Sequence, residues 1–215
     1  MIDASFWINA IAGFVVGILG SIIFWWVFSH ALVPNIRYED FISKVETPET
    51  ESGIRYRLAF RNFGRRGIVD VELFVRLSIK GLNPQFPDNL TFFSIPTGYD
   101  RLPKMEPKKS CYRHITRLKV HEIEELRDSQ FSAIISQKLE ENLEIHQALK
   151  AQRINAKDFE KNPQLLEHLM KLGTKATLQV FMFGYDEFSG ARKLFGPKVY
   201  AITDIKRRKF PKLSC

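Results

Sequence analysis

The hydrophobic pattern of the chain begins with one long apolar segment. No Asp, Glu, Lys or Arg lies between Asp3 and Arg37, and most positions between them are apolar. A helix needs about 20 apolar residues, at 1.5 Å per residue, to cross the hydrocarbon core of a bilayer. Tryptophans, which favour the headgroup region, stand near both ends of the segment: Trp7, Trp25 and Trp26. We therefore expect residues 1–35 to comprise a transmembrane helix and its flanks.

The flanks of this segment indicate a retained anchor with a defined orientation. A cleaved signal peptide would have a basic n-region and a short apolar run that ends in small residues. Here no Lys or Arg comes before the apolar run, whereas Arg37 and Lys44 follow it. Positive residues stay on the cytoplasmic side of a membrane. We expect a single-pass protein of the cell inner membrane, with the N-terminus outside and the residues after 34 in the cytoplasm.

Small residues recur at three- or four-residue spacing along the apolar segment: Ala10, Gly13, Gly17, Gly20 and Ser21. Small residues allow the backbones of two membrane helices to approach closely, which is how such helices associate inside a bilayer. Glycine is also common in membrane helices for other reasons. The stripe predicts a homo-oligomer. A single membrane helix cannot form an ion channel, but several associated helices can.

Beyond Pro34 the pattern changes to alternation with a period of two. Residues 54–61 and 69–79 place apolar and polar side chains on opposite faces, which is typical of half-buried strands. The short sequence NFGRRG joins these two runs, so we expect them to form a hairpin. Further strands are predicted at 36–46, 90–95, 112–120, 176–184 and 199–205.

A helical insertion is predicted at about residues 120–173. Apolar residues between 131 and 152 recur at helical spacing. A shorter helix follows, with Asn162 as N-cap, Pro163 at its first position and Gly173 after its last turn. Its buried stripe would be Leu165, Leu166, Leu169 and Leu172. Strands, then helices, then strands predict an α+β chain. The transmembrane helix would precede an antiparallel immunoglobulin-like β-sandwich that spans residues 36–215 and carries this insertion.

Motifs of known chemistry are missing from the sequence. It has no G-x-S-x-G, Walker loop, H-E-x-x-H or C-x-x-C motif, and its five histidines stand apart from one another. The two cysteines, Cys111 and Cys215, do not make a disulfide framework, which suits a reducing compartment. We expect no enzyme activity, no cofactor, no metal and no catalytic residue.

Basic residues give the chain a formal net charge of +8. The candidate ligand-binding residues are seven arginines: Arg55, Arg57, Arg61, Arg65, Arg66, Arg113 and Arg117. Arginine forks suit phosphate, and interleaved aromatic residues can stack on bases, so a nucleotide or oligonucleotide is the expected ligand. The other interpretation is a solvated strand face whose arginines pair with Asp70 or Glu72 across the expected hairpin.

Two further basic groups extend this pattern. One accompanies the later arginines and comprises Lys104, Lys108, Lys109 and Lys119. The other is the C-terminal tail, with Lys206, Arg207, Arg208, Lys209 and Lys212. Basic residues close to an anionic leaflet contribute about 1 kcal/mol each, so the tail either holds the domain against the lipid bilayer or remains in solvent.

The sequence VFMFGYDEFSGARKLFGPKVYAITDIKRRKF, residues 180–210, resembles the hairpin near the end of the immunoglobulin-like cytoplasmic domain of inward-rectifier potassium channels. The resemblance implies a turn followed by a strand that ends in an aspartate–isoleucine pair. The chain has no second membrane helix, pore loop or T-x-G-Y-G filter, so potassium selectivity is not implied.

The layout of the whole chain resembles small single-span membrane effectors of bacterial anti-phage systems, of the Hailong or membrane-type cyclic-oligonucleotide kind. The resemblance implies an antiviral defence effector whose cytosolic domain senses a nucleotide-derived signal and whose helices oligomerise to perturb the membrane. The alternative is a non-enzymatic membrane anchor or scaffold that binds another protein.

Overall fold

The computed structural model describes residues 4–28, 33–46, 54–82, 86–107, 113–124, 137 and 165–211. Several sequence predictions lie outside these residues: the helix at 131–152, the N-cap Asn162 with Pro163, and both cysteines. Most of the expected helical insertion therefore also lies outside the described part of the chain.

Helix α1 spans Ala4–Trp26, and its backbone continues as a π turn through Phe28. Residues Trp7–Trp26 form a helix long and apolar enough to cross a membrane, by length and composition. None of the side chains described in this span is buried against the rest of the protein. An apolar surface exposed on every side is expected of a helix that lies in lipid.

The first sheet contains β1 (Ile36–Tyr38), β2 (Ile42–Glu46), β3 (Ile54–Asn62), β7 (His114–Leu118) and β10 (Ile205–Lys206). Strand β3 lies at its centre. Its neighbours β1, β2 and β7 are all antiparallel to it, whereas β10 adds to β2 in parallel. The expectation of an antiparallel domain is therefore correct for these strands except for the short β10.

The second sheet contains β4 (Ile68–Lys80), β5 (Leu90–Ser94), β6 (Arg101–Met105), β8 (Lys175–Asp186) and β9 (Arg192–Tyr200), all antiparallel. The long β4 pairs along its whole length with β8, while β6 and β5 share its other edge. Asp70 has a φ of 48° at the point where the β4–β8 register shifts. A residue in this conformation is typical of a β-bulge.

The expected hairpin between residues 54–61 and 69–79 is wrong. Strand β3 belongs to the first sheet and β4 to the second, so the chain between them crosses from one sheet to the other. Gly64 lies in this crossing, where an added Cβ would stand 2.5 Å from the main-chain oxygen of Val33. Alternation shows that a strand has one buried face, but it does not show which strand pairs with it.

The two sheets enclose one hydrophobic core, to which both contribute fully buried side chains such as Leu58, Phe60, Leu77 and Met182. Helix α2 (Leu165–Leu169) packs against it, and all four leucines of its predicted stripe are buried. The chain is thus an apolar N-terminal helix followed by a mostly β domain of two sheets. The last predicted strand was misplaced: β9 ends at Tyr200, and a 3₁₀ turn at Ile202–Asp204 comes before β10.

Candidate anion-binding face

Strand β3 holds three of the predicted arginines on one face. Its alternate residues Tyr56, Leu58 and Phe60 are buried in the core, so Arg55, Arg57 and Arg61 project from the opposite, outer face of the first sheet. Arg117 lies directly opposite Arg57 on β7, and Ser43 lies directly opposite it on β2. The register therefore places Arg57 and Arg117 side by side near the middle of this face.

Neither of these two side chains forms an ion pair within the described part of the chain, where an ion pair means nitrogen and oxygen within 4.0 Å. The Glu122 carboxylate attracts Arg117 from a longer distance, and after the hydrogen bond from Lys119 this attraction helps to lower the Glu122 pKa. Directly opposite residues of an antiparallel pair have Cβ atoms about 5 Å apart. Like charges at this distance repel, and the pair therefore costs folding stability. An anion bound between the two guanidinium groups would remove that cost.

A second arginine pair lies on the same face, nearer to the end of the domain where α1 enters. Arg61 lies directly opposite Arg37 on β1. Both guanidinium groups stack on the ring of Phe63, at 3.8 Å for Arg61 and 4.4 Å for Arg37. The cation–π contacts hold these planar groups in place and partly offset their repulsion.

The C-terminal segment 207–211 lies across the outer face of the first sheet. The Ser43 hydroxyl donates a hydrogen bond to the main-chain oxygen of Arg208 at 2.6 Å. The Phe210 ring lies 5.0 Å from that of Phe41, and the Arg208 guanidinium stacks 4.0 Å above Phe41. The basic tail is therefore packed on the domain over these residues, which brings further cations to an already basic face.

A groove lies between this segment and β2. It encloses about 320 Å³ and is lined by Lys44, Val45, Glu46, Arg207, Arg208 and Lys209. The carboxylate of Glu46 lies 3.8 Å from Arg207, and both side chains are about two-thirds exposed. An exposed pair of this kind contributes little energy, so the charge of the groove comes mainly from Arg207, Arg208 and Lys209 of the C-terminal segment.

One of the predicted arginines, Arg113, is occupied by contacts within the protein. Arg113 is nearly buried, pairs with Glu39 at 2.7 Å and donates a hydrogen bond to the main-chain oxygen of Pro211. It therefore fastens the C-terminal segment to the sheet. The Nε atoms of Arg55 and Arg113 are buried and have no hydrogen-bond partner among the residues that the structure describes.

Arg65 and Arg66 lie in the crossing between the two sheets, away from Arg57 and Arg117. Arg65 is exposed, whereas Arg66 contacts the end of α1 and lies 3.7 Å from the buried carboxylate of Asp186. Burial by itself would raise the pKa of Asp186. The amides of Ser189 and Phe188 together with the Arg66 guanidinium outweigh burial and hold that pKa below its usual value.

The second predicted basic group is divided between the sheets. Lys104 is on β6 of the second sheet and pairs with Glu187 at 2.6 Å, while Lys119 pairs with Glu122 at 2.8 Å. Lys108, Lys109 and Lys212 lie outside the described residues. The expected pairing of the β3 arginines with Glu72 does not form. Glu72 lies on β4 of the second sheet, where it binds Arg101 and lies 3.9 Å from Arg192.

Lys44 is a buried cation that sequence reasoning missed. It lies inside the domain, pairs with Glu167 of α2 and stacks 6.0 Å from the Tyr56 ring. The Tyr56 hydroxyl lies 3.2 Å from the same carboxylate, and burial followed by the charge of Glu167 raises the Tyr56 pKa. The sequence could have predicted this position. In β2 a period of two places Lys44 on the same, core-facing side of the strand as Ile42.

The small-residue stripe of α1 is accessible. A Cβ atom added at Gly13, Gly17 or Gly20 would have no atom within 4 Å, and the Ser21 hydroxyl donates to the Gly17 oxygen at 2.8 Å. Ala10, on the same stripe, is also exposed. The backbone along this stripe is thus open to close approach by another helix.

A scan against protein-family models found no matching family, and a search of curated proteins found no match. Among the residues that the structure describes, no group of three or more His, Cys, Asp or Glu side chains is placed to hold a metal ion. The outer face of the first sheet carries guanidinium and ammonium groups, which bind anions.

Proposed function

We propose that this chain is a membrane-anchored effector. The outer face of its first sheet binds an anionic, nucleotide-derived ligand, and copies of α1 associate to perturb the membrane. The observation that carries the proposal is the pair Arg57–Arg117, directly opposite on adjacent strands, in which neither side chain forms an ion pair within 4.0 Å among the described residues. A like-charge pair of this kind is stabilised by a bound anion.

The chemistry of the surroundings favours phosphate as that anion. Guanidinium groups bind phosphate oxygens through two parallel hydrogen bonds. Two arginines whose Cβ atoms are about 5 Å apart can bring their guanidinium groups to one phosphate. The cations of the C-terminal segment adjoin the same face at Ser43. A ligand with several phosphates would contact both groups at once, as an oligonucleotide does.

The path from this face to the membrane helix is short. Strand β1 begins at Ile36, ten positions after α1 ends at Trp26, and it pairs with β3 at Arg61, four positions from Arg57. A ligand-induced shift of β3 at Arg57 would therefore be passed to the membrane helix through the pairing of β3 with β1. Ligand binding would reorient the β domains of neighbouring copies relative to one another and so bring the small-residue stripes of their α1 helices together.

We also propose that the chain is a single-pass protein of the inner membrane with its β domain in the cytoplasm. An impermeant thiol reagent applied to intact cells tests this orientation at Cys215. Labelling should require lysis, and labelling of intact cells would reverse the orientation.

Native mass spectrometry of the detergent-purified full chain tests the function as a whole. We expect bound oligonucleotide and an oligomeric mass for the parent protein, and loss of the oligonucleotide from the Arg57→Glu variant. A monomer without any bound anion, and without binding of added short oligonucleotides, would reject the sensor proposal.

The second sheet supports the alternative of a scaffold that binds another protein. Its outer face exposes large apolar side chains on three strands: Phe74, Phe92, Leu194 and Val199. Exposed apolar clusters mark interaction sites in many soluble domains. If the scaffold proposal is correct, Phe74→Glu abolishes capture of a partner protein, while Arg57→Glu leaves that capture unchanged.

A further inference from the structure

We infer that the β domain docks on the bilayer through its end next to α1, with Phe188 in the headgroup region. The inference goes beyond ligand binding and rests only on the part of the proposed function in which α1 spans the membrane. The partner is a lipid surface, because the end of α1 fixes where the membrane interface must lie.

The position of the interface follows from the tryptophans of α1. Trp25 and Trp26 end the helix and mark the headgroup level. Phe28 lies two residues further along a continuing helical turn, about 3 Å along the axis. The headgroup region extends about 5–8 Å beyond the hydrocarbon core, so Phe28 lies within it.

Phe188 shares this level because its ring contacts Phe28. The two ring centroids are 5.8 Å apart. The Phe188 side chain is nonetheless 69% exposed to solvent in the absence of a membrane. Aromatic residues prefer the membrane–water interface. The exposed Phe188 ring lies at this level, so lipid headgroups can surround it.

Arg66 ties the domain to the end of α1. Its Nη2 donates a hydrogen bond to the main-chain oxygen of Phe28 at 2.9 Å. Its guanidinium lies 5.4 Å from the Phe28 ring and 4.5 Å from the Phe188 ring. The last turn of α1 contains no basic residue, so Arg66 supplies the cation that the negative end of the helix dipole favours.

Two further contacts keep this arrangement rigid. The backbone at Val33–Asn35 packs against Gly64, where no side chain would fit. The Asp186 carboxylate accepts hydrogen bonds from the amides of Phe188 and Ser189, both at 2.9 Å. The Asp186 contacts therefore define the shape of the turn that carries Phe188, while Arg66 and Phe28 connect that turn to the end of α1.

The far end of the domain provides a matched control. Strand β4 runs 13 residues from Ile68, next to this turn, to Lys80. At 3.3 Å per residue this is about 40 Å. Phe86 follows β4 at the far end and is 55% exposed, so it is a second exposed phenylalanine of the same domain that lies far from α1.

The test uses the full chain in vesicles that contain anionic lipid, with both native cysteines replaced by serine. A single environment-sensitive fluorophore is attached in a Ser189→Cys variant, beside Phe188, or in an Asn89→Cys variant, near Phe86. We expect a blue shift, and quenching by lipids that carry a spin label near the headgroup, at position 189 and not at position 89. Phe188→Asp should abolish the response at 189, whereas Phe86→Asp should leave it unchanged.

Each outcome is decisive. Equal responses at the two positions, in protein that floats with the vesicles, would overturn the docking inference and leave the membrane anchor intact. Protein that fails to float with the vesicles would instead reject the anchor, and with it both the docking and the membrane part of the proposed function.

Discussion

Arg57 and Arg117 lie directly opposite each other on adjacent antiparallel strands, and both project from the outer face of the first sheet. Opposed like charges cost a sheet about 0.2–1 kcal/mol relative to neutral pairs. Neither arginine forms an ion pair within 4.0 Å among the described residues, and the Glu122 carboxylate attracts Arg117 from a longer distance. Stability and anion binding should therefore respond in opposite directions to a change at this position.

Replacing Arg57 with glutamate tests that opposition. The substitution turns a repulsive pair into an attractive one, so the free energy of unfolding should rise by about 0.2–1 kcal/mol. Anion binding should weaken strongly, and the salt dependence of the remaining binding should fall by about one per lost phosphate contact. A thermal melt and a titration with short oligonucleotides measure the two effects.

The matched control is Arg76→Glu on the second sheet, where Arg76 is exposed and stacks 5.3 Å from Phe92. It changes the net charge by the same amount at a different face. Equal loss of binding in both variants would indicate non-specific attraction to a basic protein. A fall in stability with Arg57→Glu would contradict the like-charge interpretation.

Gly17→Leu should weaken association of α1 without affecting insertion. Leucine is at least as apolar as glycine, and no atom of the protein lies within 4 Å of the new Cβ position. A large side chain there keeps two backbones apart. Crosslinking in membranes measures the oligomer, and Val16→Leu, off the stripe, should leave it unchanged. An unaltered oligomer in Gly17→Leu would assign assembly to the β domain.

Lys44→Met should destabilise the domain by about 3 kcal/mol. The Lys44 side chain is 3% exposed, and its loss leaves the Glu167 carboxylate without its cation. Urea unfolding of the full chain in detergent measures the change. Adding Glu167→Leu to this variant should restore part of the lost stability, because the unpaired charge is then removed. A double variant less stable than Lys44→Met would contradict this account.

The free energy of unfolding should fall as the pH is lowered from about 6.5. Burial lowers the pKa of His114 and of His168, whereas in the unfolded chain each returns to about 6.5. Below that pH the unfolded state binds protons that the folded state does not, so acid favours unfolding. The slope is at most about 1.4 kcal/mol per pH unit for each histidine.

Chemical unfolding at a series of pH values between 7.5 and 5.5 measures this slope. Replacing both histidines with glutamine should reduce it, and His168→Gln alone should give part of the reduction. A slope that both replacements leave unchanged would assign the acid sensitivity to other groups.

Local features of the sequence predicted much of the fold correctly. The apolar N-terminal helix, the alternation in β3 and β4, and the buried leucine stripe of α2 depend on residues close together in the chain. Strand β6 was missed because Pro103 interrupts its pattern. An edge strand tolerates a proline, since one side of an edge strand makes no sheet hydrogen bonds.

The candidate site was only partly predictable for the same reason. The sequence by itself determined that Arg55, Arg57 and Arg61 share one strand face, because a period of two is a local property. Only the tertiary structure decided that Arg117 stands beside Arg57, that Arg66 contacts the end of α1, and that Glu72 belongs to the other sheet. Which strands pair depends on the burial of side chains from distant parts of the chain. A short stretch of sequence therefore does not determine the partner of a strand.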